Sequence, residues 1–395
     1  MGGAPTNNIK KLLLVKIKAR QDSYTDQFSR LFMVRMLLVV ALLTSISWMK
    51  DQLNCLVPKS HGIDKGYVSK ACWINGVYIF RDIHGGNQSY YYGIPDDFTH
   101  DGINKYHQPC ATFTAAHKKV DGCKPLKKTF FLQYQWFPLA VAALGFLYYL
   151  PYILFSVVNT DLKGMKELLS ANDIQKIVRR YFDPKNNPPA KLRTRVILIV
   201  LVKLLYVVAN ILTFLIIDSS FNGWFAAYGS EYATWAGLSN EVAHKYFGGD
   251  PTVKAGHKLL PGFGICEVQE SAQDLKNLVT NKHKVVCEMS QHVLYQYTLV
   301  VLWYVLIVGI LVSILGFVYH IFDHFFNWLC FRRRGDDVTA VYKKISVRER
   351  QYLEYVRRKN LASYGDLVRA IMEDRDIRSR SSSGSFHKSD DMELM

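Results

Sequence analysis

The 395-residue sequence lacks the short motifs that mark common enzyme active sites. It has no P-loop, no H-E-x-x-H zinc motif and no G-x-S-x-G nucleophile motif, and the stretch GFG at residues 262–264 is too short to indicate nucleotide binding. It also lacks any C-x-x-C pair, which argues against a zinc site. We therefore expect a protein that is not an enzyme and that uses no cofactor and no metal.

Charged residues are almost missing from four long apolar segments, residues 31–49, 130–158, 196–217 and 295–329. At about 1.5 Å per helical residue, each is long enough to cross about 30 Å of hydrocarbon. The first segment could instead be a cleaved signal peptide, but some thirty residues precede it and no clear A-x-A site follows it. We predict four membrane spans.

Carboxylates are missing from the interior of these spans, because Asp218 and Asp323 lie at span ends. A proton-coupled transporter would use carboxylates within the membrane. Their absence argues against that class of protein.

The distribution of Lys and Arg predicts the side of the membrane that each connector occupies. Residues 159–195 carry nine Lys and Arg against four acids, residues 331–395 carry fifteen against eleven, and residues 219–292 carry six against seven. The positive-inside rule places both termini and the middle connector in the cytoplasm. Residues 50–129 are mildly basic, but loops this long cross largely regardless of charge. The net charge of +16 then needs no nucleic-acid partner.

Six of the seven cysteines fall in the two loops predicted to lie outside. An even set on the oxidising side indicates three disulfides, although six cysteines allow fifteen pairings and their spacing selects none. Reduced, buried thiols are the alternative. The N-x-S sequon at Asn87 lies in the first of these loops and is a candidate glycosylation site. The cysteines are Cys55, Cys72, Cys110 and Cys123 in the first loop, and Cys266 and Cys287 in the second.

Polar side chains form a stripe in the third span. Lys203, Asn210 and Thr213 are spaced i, i+7, i+10, which places them on one helical face. Because a charge at this depth avoids lipid, the stripe either bonds to neighbouring helices or faces a pore. In the fourth span, small residues that end at Gly316 predict the close approach of another helix.

The two ends of the chain have distinct patterns. The amino-terminal residues predict an amphipathic helix with Lys10 and Lys11 largely on its polar side. This helix either lies on anionic lipid or enters a pore mouth, where its charges would bias ion selection. Residues 379–395 are low-complexity and predicted to be disordered. Their basic-flanked serines are candidate phosphorylation sites: Ser379, Ser381, Ser382 and Ser383.

These patterns predict an all-α membrane protein, a four-transmembrane-helix bundle with disulfide-braced extracellular loops and a cytoplasmic helical dome. The middle connector should be helical until Asp183-Pro184 and Pro188-Pro189 break it. The predicted order is amino-terminal helix 1–30, first span 31–49, extracellular loop 50–129, second span 130–158, cytoplasmic loop 159–195, third span 196–217, extracellular loop 218–294, fourth span 295–329, cytoplasmic helical region 330–378 and tail 379–395.

The stretch QYQWFP at the start of the second span resembles the Y-Y-Q-W-V-P signature of innexins. Tyr134, Gln135, Trp136 and Pro138 match that signature, and the other two positions differ. By residue type alone, Tyr134 and Trp136 suit an interfacial aromatic belt, and Gln135 suits bonding to headgroups, water or the adjoining loop. The C-C-G of tetraspanins and the W…G-L-W…C…C pattern of claudins are missing from the outer loops.

The resemblance implies a pairing of the cysteines between the loops. Innexins join two cysteines of one outer loop to two of the other, which implies bonds from Cys55 to Cys287 and from Cys72 to Cys266. Cys110 and Cys123 depart from the family pattern, and we assign them to each other as an extra local bridge.

The resemblance also implies a large-pore channel subunit in the plasma membrane, with no enzymatic chemistry. Subunits would assemble as rings, generally octamers, alone or with paralogous subunits among membrane lipids. A ring would act as a hemichannel, or dock with an opposing ring as a gap junction at a cell junction. The amino-terminal helix and first span would line the pore, and we place His61, Asp64 and Lys65 at its outer mouth. The alternative is a non-conducting four-span adhesion or junction protein.

Overall fold

The structure is a computed structural model. It describes residues 23–45, 53–58, 63–84, 92–106, 108–113, 118–243, 254–274, 277–330, 341–342 and 345–384. For residues 270–281, 323–330 and 375–384, the description is limited to the backbone.

Four helices of the described chain are long and apolar enough to cross a membrane. Helix α1 spans Tyr24–Ser45, α3 spans Gln133–Val158, α6 spans Pro189–Ser220, and α10 spans Ser290–Cys330. Helix α1 is capped by the Ser23 hydroxyl, which accepts a hydrogen bond from Asp26 N–H at 3.4 Å. These four helices confirm the predicted four-helix class.

The helix boundaries follow local chemistry. Helix α6 begins at Pro189, where the missing proline N–H costs nothing because the first helical N–H groups have no partner within the helix. Helix α3 carries Pro138 inside its first segment, and its second segment begins at Tyr149. Helix α1 contains a π-helical stretch at Phe28–Met33.

The chain divides into two compact units, each described here by itself. The described residues of the first, the sheet unit, lie in Met33–Phe146 and Ile211–Val308. Those of the second, the helical unit, lie in Val15–Phe32, Leu147–Asn210 and Gly309–Met395.

The sheet unit contains β-strands in the two segments predicted only as loops, residues 50–129 and 218–294. An antiparallel five-stranded sheet has the order β1-β8-β7-β2-β6, and a three-stranded sheet has the order β4-β3-β5. Strand β2 has four buried residues because both of its faces are covered. The strands are β1 Asn54–Leu56, β2 Val77–Phe80, β3 Gly102–Ile103, β4 Pro109–Cys110, β5 Lys124–Pro125, β6 Lys128–Phe131, β7 Phe263–Asp274 and β8 Asn277–Glu288.

Four short helices complete the sheet unit: α2 Lys65–Asn75, α7 Phe225–Ala236, α8 Asn240–Ala243 and α9 Ala255–Leu259. Helix α7 packs closely on α10. The Tyr228 hydroxyl donates to Gln296 O at 2.9 Å, and the Tyr304 hydroxyl donates to Gly229 O at 3.1 Å.

The helical unit has its own apolar core. Helix α4 spans Thr160–Ser170, α5 spans Ile174–Ile177 and continues as a π-helical stretch Val178–Phe182, and the next helix is α6. The helix is therefore interrupted at residues 183–188, as Asp183-Pro184 and Pro188-Pro189 predict. Helices α11 Val347–Lys359 and α12 Leu361–Gly384 pack on this region. The shared core includes Met165, Val178, Leu192, Tyr352, Leu353, Val356, Leu367 and Ile371.

Helix α12 extends past the predicted boundary of the disordered tail at residue 379. Its backbone is helical to Gly384 and so includes Ser379 and Ser381 to Ser383. A helix that has already formed adds residues cheaply, and serine costs only a few tenths of a kcal/mol relative to alanine. The prediction of disorder is wrong for residues 379–384, and residues 385–395 lie outside the described part.

Candidate functional site

Two disulfides join the first predicted outer loop to the second. Cys55 on β1 lies directly opposite Cys287 on β8 in the strand register, and their sulfur atoms are bonded. Cys72 on α2 is bonded to Cys266 on β7. These are the two pairs that the resemblance implied. They attach β1 and α2 to a hairpin that lies about two hundred residues further along the chain.

The third disulfide stabilises the small sheet. Cys110 on β4 is bonded to Cys123, thirteen residues later, as the local assignment expected. Gly102 on β3 lies beneath this bridge. A Cβ atom there would come within 2.5 Å of Cys123 Sγ and 2.7 Å of Thr112 Cγ2, so only glycine fits.

Among the described residues, one group of potential metal ligands lies close together: Cys55, Cys72 and Cys287, all buried. All three sulfur atoms are in disulfides. They carry no thiolate, which is the form that binds a metal. We therefore interpret the group as two adjacent bridges.

The signature residues at the start of α3 bind the end of α2. The Tyr134 hydroxyl and Gln135 Nε2 each donate to Trp73 O at 2.7 Å, and Gln135 Nε2 also reaches Ile74 O at 3.1 Å. The last carbonyls of a helix have no partner within the helix. Tyr134 and Gln135 thus cap the helix that carries Cys72.

The remaining signature positions differ in exposure. Tyr134 is 1% exposed, so its assignment to a lipid-facing aromatic belt is wrong: it packs against Trp73 and His292 instead. Trp136 is 40% exposed. Pro138 is buried inside the helix, where it cannot donate to the carbonyl of Tyr134.

Phe137, which lies within the same stretch QYQWFP, connects further elements of the sheet unit. Phe137 contacts the rings of Phe221, just after α6, and Tyr295 on α10. The Tyr295 hydroxyl donates to Thr44 O in α1 at 2.9 Å. The start of α3 therefore packs against the residue that follows α6 and against α10, which in turn bonds to α1.

The candidate residues for the outer pore mouth are only partly described. Asp64 caps α2, since its carboxylate accepts a hydrogen bond from Tyr67 N–H at 2.8 Å, and Lys65 is exposed in the first turn. Asp64 thus has a structural role that the sequence interpretation missed. His61 lies outside the described residues, as do Lys10, Lys11 and Asn87.

A tyrosine, a lysine and a glutamate form a partly buried hydrogen-bonded group on the sheet. The Tyr78 hydroxyl and Lys128 Nζ each donate to Glu267 Oε1 at 2.6 Å. Burial disfavours the Glu267 carboxylate, but the two donors outweigh it and lower its pKa. Burial, with the adjacent carboxylate, raises the pKa of Tyr78 above its ordinary value. The group joins β2, β6 and β7.

Two histidines beside the sheet are held neutral. Burial lowers the pKa of His84 to about 4, with help from the positive charge of Arg81. Burial also lowers the pKa of His257, on α9, to about 4.

Arg81 is a half-buried cation that no sequence motif singles out. Its guanidinium lies 4.6 Å from the ring centre of Trp224 and 5.8 Å from that of Phe131, and it donates to Lys258 O at 3.1 Å. Its position directly after the apolar strand VYIF is the signal that could have identified it.

The stripe on α6 bonds to neighbouring helices. Within the helical unit, Lys203 Nζ lies 2.7 Å from Asp26 Oδ2 and 2.7 Å from Ser23 Oγ, and both members of the ion pair are buried. Asn210 Oδ1 accepts a hydrogen bond from the Tyr148 hydroxyl at 3.0 Å. Thr213 is also fully buried. The packing alternative is confirmed for Lys203 and Asn210.

The small-residue prediction for α10 is also confirmed. A Cβ atom on Gly316 would lie 2.6 Å from Thr25 Cβ, so α1 approaches α10 closely at this point. A larger residue would force the two helices apart.

Four apolar helices, together with disulfides that join two distant loops, define a polytopic membrane protein with braced loops. The innexin family model matches residues 22–373, nearly the whole chain. The protein belongs to the innexin family, whose members are membrane channel subunits of the gap-junction or hemichannel type and assemble as oligomers. Among curated proteins, none matches this chain.

Proposed function

We propose that this chain is a subunit of a large-pore channel that passes ions and small metabolites passively across the plasma membrane. The observation that carries the proposal is the pair of interloop disulfides beside four apolar helices, in a chain that matches the innexin family over residues 22–373. The bridges would keep the outer mouth of a pore in one shape.

The orientation that we propose has both termini and residues 159–195 in the cytoplasm. The excess of Lys and Arg in residues 159–195 and 331–395 supports this orientation, because basic connectors stay on the inner side. The disulfides support it independently, since all three lie in the two loops assigned to the oxidising outer side.

We propose that subunits form a ring, with eight expected from the family. The apolar helices of one chain leave large side chains exposed that lipid or another subunit must cover. These include Leu204, Leu212 and Leu215 on α6, and Val301, Leu311 and Leu315 on α10.

Two features of the first predicted outer loop would affect the docking of two rings. The bridge Cys110–Cys123, which stabilises the sheet β4-β3-β5, departs from the two cysteines per outer loop that the family pattern has. The sequon at Asn87 lies in the same loop. Added protein and glycan bulk would obstruct contact between rings, so we favour a hemichannel over a gap junction.

The pore-facing candidates are the amino-terminal cations and the start of α2. Lys10 and Lys11 would favour anions at the inner entrance, while His61, Asp64 and Lys65 would lie at the outer mouth. We expect the variant Lys10→Gln/Lys11→Gln to shift the reversal potential towards cation selectivity in asymmetric salt. An unchanged potential would remove these lysines from the pore.

Expression in single cells and in cell pairs tests the function. A hemichannel gives dye uptake and ohmic current in isolated cells, and a gap junction adds current between paired cells. An adhesion protein would hold cells together without either current. Cells that express a variant retained inside the cell, identified by surface labelling, provide the background measurement. A surface-exposed protein without current would contradict the proposed channel.

A further inference from the structure

A basic cavity lies within the helical unit, between α4, the π-helical stretch and the beginning of α6. Its volume is about 560 Å³, which falls within the range of small-molecule sites. Its wall contains five cationic side chains and one carboxylate. The cations are Lys176, Arg179, Arg180, Lys191 and Arg195.

The carboxylate in the wall is already engaged. Asp161 Oδ2 accepts from Arg195 Nη1 at 2.6 Å, and Asp161 Oδ1 accepts from Arg348 Nη2 at 2.9 Å. The Tyr352 hydroxyl also donates to Asp161. This acid therefore neutralises Arg195 and Arg348, and within the described part of the chain it makes no ion pair with the more exposed cations at the rim of the cavity.

Three rim cations make no salt bridge among the residues that the structure describes: Arg179, Arg180 and Lys191. All three side chains are exposed. Lys176 is paired with Asp173 at 2.8 Å, but its side chain is 71% exposed, so this pair is weak. The cavity thus presents an excess of positive charge to solvent.

The backbone that carries the two arginines is fixed. Asn186 Nδ2 donates to Arg179 O at 2.8 Å, and Asn187 Nδ2 donates to Arg180 O at 2.7 Å. Between them and α4, the Tyr181 hydroxyl donates to Asp161 O at 3.0 Å. A fixed backbone reduces the ordering that a ligand must impose on the arginines.

The cavity lies next to the ends of the apolar segments of α3 and α6. Helix α3 ends at Val158, two residues before the lining residue Thr160. Lys191 precedes the apolar run of α6, which starts at Val196, by five residues, or about 7.5 Å along a helix. With the proposed topology, this is the headgroup layer of the inner leaflet.

We infer that the cavity binds a multiply phosphorylated anion, and that the anion is the headgroup of a phosphoinositide lipid. Arginine guanidinium groups bind phosphate oxygens in pairs, and lysine adds a point charge. Basic pockets beside membrane helices on the cytoplasmic side suit such headgroups. The phosphate site stands on the cavity and its charges, whereas the lipid source rests on the proposed membrane topology.

Binding of a fluorescent short-chain phosphatidylinositol bisphosphate to the purified full-length protein in micelles tests the site. The pocket variant is Arg179→Gln/Arg180→Gln/Lys191→Gln. The matched control, Lys166→Gln/Arg193→Gln/Arg369→Gln, removes the same charge from exposed cations of the helical unit that do not line the cavity. We expect the pocket variant to bind at least about tenfold more weakly, and the control to change by less than about twofold.

A charge-conserving variant and two competitors complete the test. Arg179→Lys/Arg180→Lys should keep more than half of the binding that the glutamine variant loses. Inositol trisphosphate should compete less well than the lipid, and phosphatidylserine should compete least. Equal competition by inositol trisphosphate would overturn the lipid source and assign a soluble phosphate to the site. Equal losses in the pocket and control variants, or no binding to wild type, would overturn the site itself. Since binding is measured without current, this result is independent of channel activity.

Discussion

Tyr134 and Gln135 satisfy the last carbonyls of α2 with three hydrogen bonds. The disulfide at Cys72 starts from the same helix turn, so a covalent bond and a polar cap fix this turn together. The signature is therefore a connection between the short helix α2 and the apolar helix α3.

Removing the cap should destabilise the protein measurably. The variant Tyr134→Phe/Gln135→Leu leaves Trp73 O and Ile74 O without these donors, and each lost hydrogen bond costs about 1 kcal/mol. We expect a clear fall in Tm for the protein in detergent. The control Trp136→Leu alters the exposed signature residue and should lower Tm less. A larger effect in the control would contradict the capping role.

The buried pair of Lys203 and Asp26 should show strong coupling. Replacing one partner leaves the other charge buried and unpaired, which costs about 3–5 kcal/mol. Replacing both, as in Lys203→Met/Asp26→Asn, removes that penalty. We expect each single variant to lower Tm by more than the double variant does. Additive effects of the two substitutions would contradict direct pairing.

The interloop disulfides and the local disulfide should differ in how much they stabilise the protein. Cys72 and Cys266 are separated by 194 residues, and Cys110 and Cys123 by 13. Loop-closure entropy assigns about 5 kcal/mol to the first bridge and about 3 kcal/mol to the second. The first also joins α2 to β7, whereas the second stabilises only the small sheet.

Paired serine substitutions test this difference. We expect Cys72→Ser/Cys266→Ser to abolish delivery to the cell surface, and Cys110→Ser/Cys123→Ser to retain it. Surface biotinylation measures both variants, with total expression as the reference. If both variants reached the surface equally, the larger structural role of the interloop bridge would be wrong.

The elements differed in how well their sequences predicted them. The four helices are evident from long uncharged runs, and the break at residues 183–188 from its prolines. The sheet could not be assembled from the sequence because β1 pairs with β8 across 232 residues, and the three short strands β1, β2 and β6 have no clear period. The run VYIF of β2, rich in β-branched and aromatic residues, was the best local signal.

At the scale of the whole molecule, the cysteine pairs expected from the family pattern are those in the structure, although spacing alone selected none. The capping partners of Tyr134 and Gln135 could not be predicted, because they depend on which carbonyls α2 leaves open. Arg348 was equally hidden: it lies in a charge-rich helix, yet it is 1% exposed and binds Asp161. A charged residue cannot be predicted to be buried from the sequence unless the oppositely charged residue that pairs with it is also known.

We propose above that copies of this chain form a conducting pore. Reconstitution of the purified protein into planar lipid bilayers measures this directly, without other channels of a cell. We predict discrete openings with an ohmic current–voltage relation and permeability to organic ions of metabolite size. Protein that is correctly folded, oligomeric and inserted, but that gives no current beyond that of empty bilayers, would contradict the account.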